Sequence, residues 1–244
     1  MKRYLLLTVV ALLALSLVAC QAPRTITVAT NANYPPFNDV DKHTGQMVGF
    51  DIDLMNAIAN KEGFKVEYVK ANLDDLIHGM AQGKYDAAIS AITITTEREK
   101  DMLFSDPYFL AGQVVTVLKD NTTITGKDSL TGKVVGVETG STGAQSISGM
   151  TGLTIKEYSD LSQGWNDLLN GTINSVVADN TIAAIYVARY PDKLKMVGAP
   201  FSQEDYGIAV NKNEPELLEK INAGLRAVKS QGLLEQLNQK WLPQ

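Results

Sequence analysis

Two stretches of the chain follow one pattern. Met80-Ala-Gln-Gly-Lys-Tyr-Asp-Ala-Ala-Ile-Ser-Ala91 and Leu168-Leu-Asn-Gly-Thr-Ile-Asn-Ser-Val-Val-Ala-Asp179 each read as a helix end, a glycine, a turn and a short apolar strand. They share few identities but one order of elements, which predicts two lobes of similar architecture. Around the first, Thr25 to Thr30 is a β-branched strand, and residues 50–62 carry a helical apolar stripe (Ile52, Leu54, Met55, Ile58, Ala59) stopped by Gly63. Lys65 to Val69 alternates as a strand does. Leu73, Leu76, Ile77 and Met80 share one helix face, with Asp74 and Asp75 in its first turn, and Asp86 to Ile92 is short and apolar. The order β-α-β-α-β predicts a parallel sheet with helices on both faces.

The second half repeats this order. Strands are expected over 113–118, 133–137, 153–158 and 173–178, and helices from Thr142 to Ser148 and from Leu161 to Asn170. A further strand covers Tyr206 to Val210. Asn213 reads as the cap of a helix with Pro215 in its first turn, and two helices then reach Trp241, parted near Gly232. No proline- or serine-rich linker divides the halves, so strands rather than a flexible tether are expected to join them.

The N-terminus indicates where the protein resides. Lys2 and Arg3 precede an uncharged apolar run, Tyr4 to Leu17, which ends in Leu17-Val18-Ala19-Cys20. This is the three-part form of a secretory signal, and the run is short for a membrane span of ~20 residues. The final four residues resemble a bacterial lipobox, in which Cys20 is lipidated and becomes the first residue. An ordinary cleaved signal or an anchor helix is the alternative; the single cysteine of the chain, standing at the cleavage point, favours the lipoprotein. The body beyond has no cysteine and therefore no disulfide. The chain carries 22 basic against 27 acidic residues, a formal charge of −5, and no basic run, which argues against nucleic acid as a partner.

In open α/β sheets, ligands bind beyond the carboxyl ends of the strands. That rule selects Asn31 to Phe37, Ala91 to Arg98, Glu138 to Thr142 and Asp179. Arg98 and a polar loop before a helix suit a carboxylate, Asp179 suits an ammonium, and Tyr34 and Phe50 are aromatics near the first strand, so the set fits a small zwitterion. Each residue also has a plain structural reading: Arg98 as a solvated helix residue, Asp179 as the cap of the helix 180–189, Tyr34 and Phe50 as packing, Thr93 as a strand residue.

An ordered series of motifs runs along the chain: YPPF (Tyr34 to Phe37), GFDIDL (Gly49 to Leu54), GKYD (Gly83 to Asp86), TITTER (Thr93 to Arg98) and FSDPY (Phe104 to Tyr108). The loop Gly136 to Thr142, the pair Ala178-Asp179 and YGIAV (Tyr206 to Val210) complete the series. The series resembles, from about Thr25 to Trp241, that of the bacterial extracellular solute-binding proteins for polar amino acids, which serve ABC importers. The resemblance implies a type 2 periplasmic-binding-protein-like fold: two Rossmann-like α/β lobes joined by two hinge strands, with the ligand cleft between them. Residues 1–20 would be the lipoprotein signal, 24–112 with 206–244 the first lobe, and 113–205 the second. Carried over residue by residue, Arg98 holds the ligand carboxylate with the Thr93 backbone and hydroxyl, and Ser141 and Thr142 bind it from the second lobe. Asp179 takes the ammonium with the Ala91 carbonyl and the Thr93 hydroxyl. Tyr34 and Phe50 flank the side chain, and Asn31 and Glu138 meet its tip. Ala91 stands where glycine or serine is common, Asn174 where aspartate is frequent, and Leu73-Asp74 where tryptophan is common.

The implied function is capture of a free amino acid, with arginine, lysine or glutamine favoured over glutamate because Glu138 opposes an acidic tip. Delivery is to a membrane ABC permease, by a monomer exported and lipid-anchored at Cys20 on the outer face of the cytoplasmic membrane, or periplasmic in a Gram-negative cell. No cofactor and no metal are expected. The competing classes are a cyclohexadienyl-dehydratase-like enzyme of the same superfamily and a ligand-sensing protein. Asp179 argues against the first, since a ligand without an ammonium has no use for it. His43 and His78 are isolated, no G-x-S-x-G element occurs, and Gly126 to Lys133 has its glycines one residue too far apart for a phosphate loop.

Overall fold

The computed structural model describes residues 22–242; the signal segment and Cys20 lie outside them. The chain forms two five-stranded mixed sheets, each flanked by helices, and two short two-stranded ribbons. The first lobe begins with β1 (Thr25–Thr30), which pairs in parallel with β4 (Lys65–Lys70) in the register Thr25↔Lys65 to Thr30↔Lys70 and with β5 (Ala87–Ala88) on its other side. The intervening crossovers are α1 (Phe50–Glu62) and α2 (Leu73–Ala81). Gly63 ends α1 at φ 71°, a left-handed stop that only glycine enters without cost. Asn72 caps α2 by accepting from the Asp75 N–H at 2.9 Å. Two short strands before α1, β2 (Asp39–Val40) and β3 (Met47–Val48), form a hairpin too brief for any periodicity to reveal.

The second lobe repeats the plan. Strand β9 (Val134–Glu138) pairs in parallel with β10 (Thr154–Tyr158) and β11 (Ser175–Asp179), across α3 (Thr142–Ser148) and α4 (Leu161–Leu169). Helix α5 (Asn180–Arg189) and β12 (Leu194–Val197) follow.

Both sheets are mixed, which corrects the expectation of parallel sheets. Strand β8 (Gln113–Leu118) runs antiparallel between β11 and β12. Strand β14 (Ala209–Asn211) runs antiparallel between β5 and β6 (Met102–Phe104). The cause is the path between lobes. The chain crosses once at β7 (Phe109–Ala111) and returns at β13 (Glu204–Tyr206), and these two segments pair antiparallel, Phe109 opposite Tyr206. Each crossing runs directly into the next sheet. It enters from the cleft side, where the parallel strands end, so it must run against them. The strand expected over 206–210 is therefore split at Gly207, with its first part in the connection and its second in the sheet. The run from Asp86 to Ile92 is paired only at Ala87–Ala88, because the chain then turns to build the cleft.

Helices α6 (Pro215–Ser230) and α7 (Leu233–Trp241) lie on the first lobe. Gly224 of α6 approaches α1 so closely that an added Cβ would sit 2.8 Å from Ile58 Cγ2. Trp241 Nε1 and Lys240 Nζ both donate to Asp53 of α1, at 2.8 and 2.7 Å. Glu214, not Asn213, holds the N-cap position of α6, with Pro215 following it where its missing N–H costs nothing.

Candidate functional site

The carboxyl ends of β1, β5, β9 and β11 face one another across a narrow cleft. Asn31, Tyr34, Ala91, Thr93 and Arg98 line it from the first lobe, and Glu138, Ser141, Thr142 and Asp179 from the second. The structure therefore brings together nine of the ten ligand-contacting residues expected from sequence. Phe50 is the exception, and its expected flanking role is corrected. It is 0% exposed and packs at the start of α1 against Phe37 (ring centroids 5.6 Å) and Phe109 (6.0 Å). The apolar entry of α1 is buried in the core, where the Phe50 N–H donates to the Pro36 carbonyl at 3.0 Å.

Arg98 sits on a single 3-10 turn, 6% exposed. Its guanidinium donates to the Thr93 carbonyl at 2.8 Å and, across the cleft, to the Gly140 carbonyl at 3.1 Å. Among the described residues no carboxylate forms an ion pair with it. Burial pulls its pKa down, and the nearby charges of Asp179, Glu204 and Glu138 pull the other way. A buried cation held by carbonyls and facing a cleft is poised for an anionic partner.

Asp179 occupies the N-cap position of α5 but makes no capping bond. Its side chain turns into the cleft and accepts from Tyr34 Oη at 2.8 Å, from Tyr206 Oη and from Gln113 Nε2. Burial and the Glu204 charge raise its carboxyl to about 6, while those bonds act to lower it. Glu138 is pushed further, to about 8, by burial, against the Asn31 Nδ2 bond at 2.9 Å. Its Oε1 thus ties β9 to the loop after β1.

Sequence reasoning missed two residues. Glu204, 7% exposed on the returning connection, accepts at Oε2 from Thr93 Oγ1 (2.8 Å) and Thr142 Oγ1 (2.7 Å), and at Oε1 from Ser202 Oγ (2.7 Å). It joins one hydroxyl from each lobe. Both hydroxyls then have their protons on Glu204 and present lone pairs elsewhere, so neither can also donate to a ligand carboxylate. The Ser141 hydroxyl likewise accepts from the Ala144 N–H at 3.0 Å and caps α3. Gln113, at the amino end of β8 opposite Asp179, places its amide between Asp179, Thr142 and Glu204. The strand-end rule could not select it, because an antiparallel strand presents its beginning, not its end, to the cleft.

The cleft thus combines the Arg98 guanidinium with the carboxyl groups of Glu138 and Asp179, and Glu204 lies beside them on the Thr93 and Thr142 hydroxyls. Among the described residues, no group of three or more His, Cys, Asp or Glu could hold a metal ion, and no helix is long and apolar enough to cross a membrane. His43 and His78 are exposed, and neither lines the cleft.

Comparison with known proteins accords with this geometry. Residues 26–244 match the bacterial extracellular solute-binding proteins, family 3. A probable histidine-binding protein of Neisseria gonorrhoeae is 36% identical over 91% of this chain and 85% of its own. A putative ABC transporter arginine-binding protein of Escherichia coli is 33% identical over 99% of both chains. An ancestral arginine-binding protein solved with arginine superposes with a TM-score of 0.87 at 42% identity, covering 91% of this chain and all of the other.

Proposed function

The chain belongs to the bacterial extracellular solute-binding proteins of family 3, and on that premise we propose that it captures a free amino acid for an ABC importer. The observation that carries this reading is the pairing of a buried guanidinium, Arg98, with a buried carboxylate, Asp179, across one cleft between two lobes. The first takes the α-carboxylate and the second, with the Ala91 carbonyl, the α-ammonium. Glu138 remains over for the side chain, held by Asn31, and Tyr34 flanks it. An acceptor there favours arginine, with lysine and glutamine behind it, and opposes glutamate. A planar guanidinium also suits the face of Tyr34. The protein acts by binding, not by catalysis: a substrate lacking an ammonium would bring no positive group of its own to the buried Asp179 and Glu204. The division we infer follows the crossing segments, with 24–112 and 206–244 moving as one lobe, 113–205 as the other, and the ligand drawing them together.

The test is calorimetry against the twenty amino acids after unfolding and refolding have stripped any bound ligand. One site per chain with arginine tightest is expected, together with a smaller radius of gyration by small-angle scattering at saturation. Failure of every amino acid to bind would end this reading, and unchanged scattering at saturating arginine would end lobe closure.

Residues 1–20 act as a lipoprotein signal, and Cys20 carries the lipid that keeps the protein beside a membrane permease as a monomer. Two acyl chains at ~0.8 kcal/mol per buried methylene hold it firmly. Cys20→Ser is expected to move the protein from the membrane fraction to the soluble exported fraction, or to leave its signal uncleaved. Normal processing with full membrane retention would refute the anchor.

A further inference from the structure

Two non-glycine residues among those described have positive φ, Ala32 at 55° and Ala91 at 49°. Both belong to the loops that frame the cleft: Ala91 lines it, and Ala32 lies between Asn31 and Tyr34. The left-handed region is costly for a residue with a Cβ and free for glycine, so something must hold these alanines there. One buried pair does so. The Ala91 N–H donates to Asp51 Oδ2 at 2.8 Å, and the Ala32 N–H donates to Asn38 Oδ1 at 2.9 Å. Asn38 Nδ2 in turn donates to Asp51 Oδ2 at 3.1 Å, and Tyr108 Oη fills Asp51 Oδ1 at 2.8 Å. Ser90 Oγ, which accepts from the Asn31 N–H at 3.0 Å, lies 3.4 Å from Asn38 Oδ1. Asn38 and Asp51 are both 0% exposed, and neither lines the cleft.

A buried carboxylate is an expensive way to pin a loop. Burial raises Asp51 to about 6, against the pull of its three donors, each of which would lose its acceptor if an apolar side chain stood there. What Asp51 supplies is an acceptor directed at one strained N–H, which turns the Ala91 peptide toward the cleft. We propose that Asp51 and Asn38 are positioning residues for the ligand, holding Ala91 and Ala32 in left-handed backbone so that the Ala91 carbonyl meets the head group and the Asn31 side chain meets the tip. This rests on the reading of the cleft as an amino acid site, but its structural half stands independently of that reading.

The test is a pair of double-mutant cycles. Asp51→Ala, which removes the acceptor where asparagine would keep one, is expected to weaken L-arginine binding by about tenfold or more in the parent protein. In an Ala91→Gly background the loss falls to about threefold or less, because glycine takes the left-handed conformation unaided. Asn38→Ala with Ala32→Gly gives a second, independent cycle if Asp51→Ala does not fold. Equal losses in the alanine and glycine backgrounds, or no loss, would overturn the proposal. Amide hydrogen exchange of the unmutated protein separates the two readings. If arginine does not bind but the Ala91 and Ala32 amides are strongly protected, the ligand assignment fails and the pinning stands. If those amides exchange as fast as open loop residues, the pinning itself fails.

Discussion

Arg98→Ala is expected to weaken amino acid binding by about a hundredfold or more while the protein remains folded. A charge-assisted hydrogen bond contributes roughly 1.5–3 kcal/mol, and the guanidinium fork can make two to a carboxylate, which converts to at least two orders of magnitude in affinity. The substitution also removes the link from Thr93 to Gly140, one of the contacts between lobes. Arg98→Lys is expected to recover little, because a single ammonium cannot hold the Thr93 carbonyl, the Gly140 carbonyl and two carboxylate oxygens together. Calorimetry of both variants, with circular dichroism to establish folding, decides the matter. Near-native affinity in folded Arg98→Ala would place the ligand carboxylate elsewhere.

Affinity for arginine should rise steeply with pH between about 6 and 8, and Glu138→Gln should flatten that rise. Burial lifts the Glu138 carboxyl to about 8, so below that pH the empty site holds it protonated. A cationic side chain needs the ionised form, and binding then expels a proton, which makes the affinity change by up to about tenfold per pH unit. Asp179, raised to about 6, adds a second release of the same sign at lower pH. The stability of the unliganded protein moves in the opposite direction. The folded state holds the Glu138 proton above its ordinary value of 4.5, so its contribution is full below that value and is lost as pH rises through 8. Opposite slopes for binding and for melting temperature are the signature. A flat affinity profile, or one that Glu138→Gln leaves unaltered, would detach Glu138 from the ligand tip, as would tighter binding of glutamate than of arginine.

Much of the cleft could be read from the chain because parallel strands end there. Asn31, Ala91, Glu138 and Asp179 follow apolar runs whose direction is implied by the helices between them, and the structure places all four on the cleft. Phe50 was misplaced because an aromatic at a helix start looks the same in sequence whether it faces the cleft or the core. Its neighbours Phe37 and Phe109 show which, and they come from separate parts of the chain. The hydroxyls of Thr93 and Thr142 were expected to face the ligand carboxylate, but a glutamate more than sixty residues beyond the nearer of them takes both protons.

The sequence by itself determined the local elements: the helix stripes, the glycine stops at 63 and 232, the repeated helix-turn-strand unit and hence two lobes. These depend on side-chain spacing within a dozen residues, which periodicity records. Only the tertiary structure decided which way β8 and β14 run, since an apolar β-branched run has no direction of its own. That decision follows from the chain crossing between lobes at the cleft and entering each sheet against its parallel strands. It is also what brings Gln113 and Glu204 beside Asp179, while within the first lobe the bond from the Ala91 N–H to Asp51 spans forty residues and exists only once that lobe has folded.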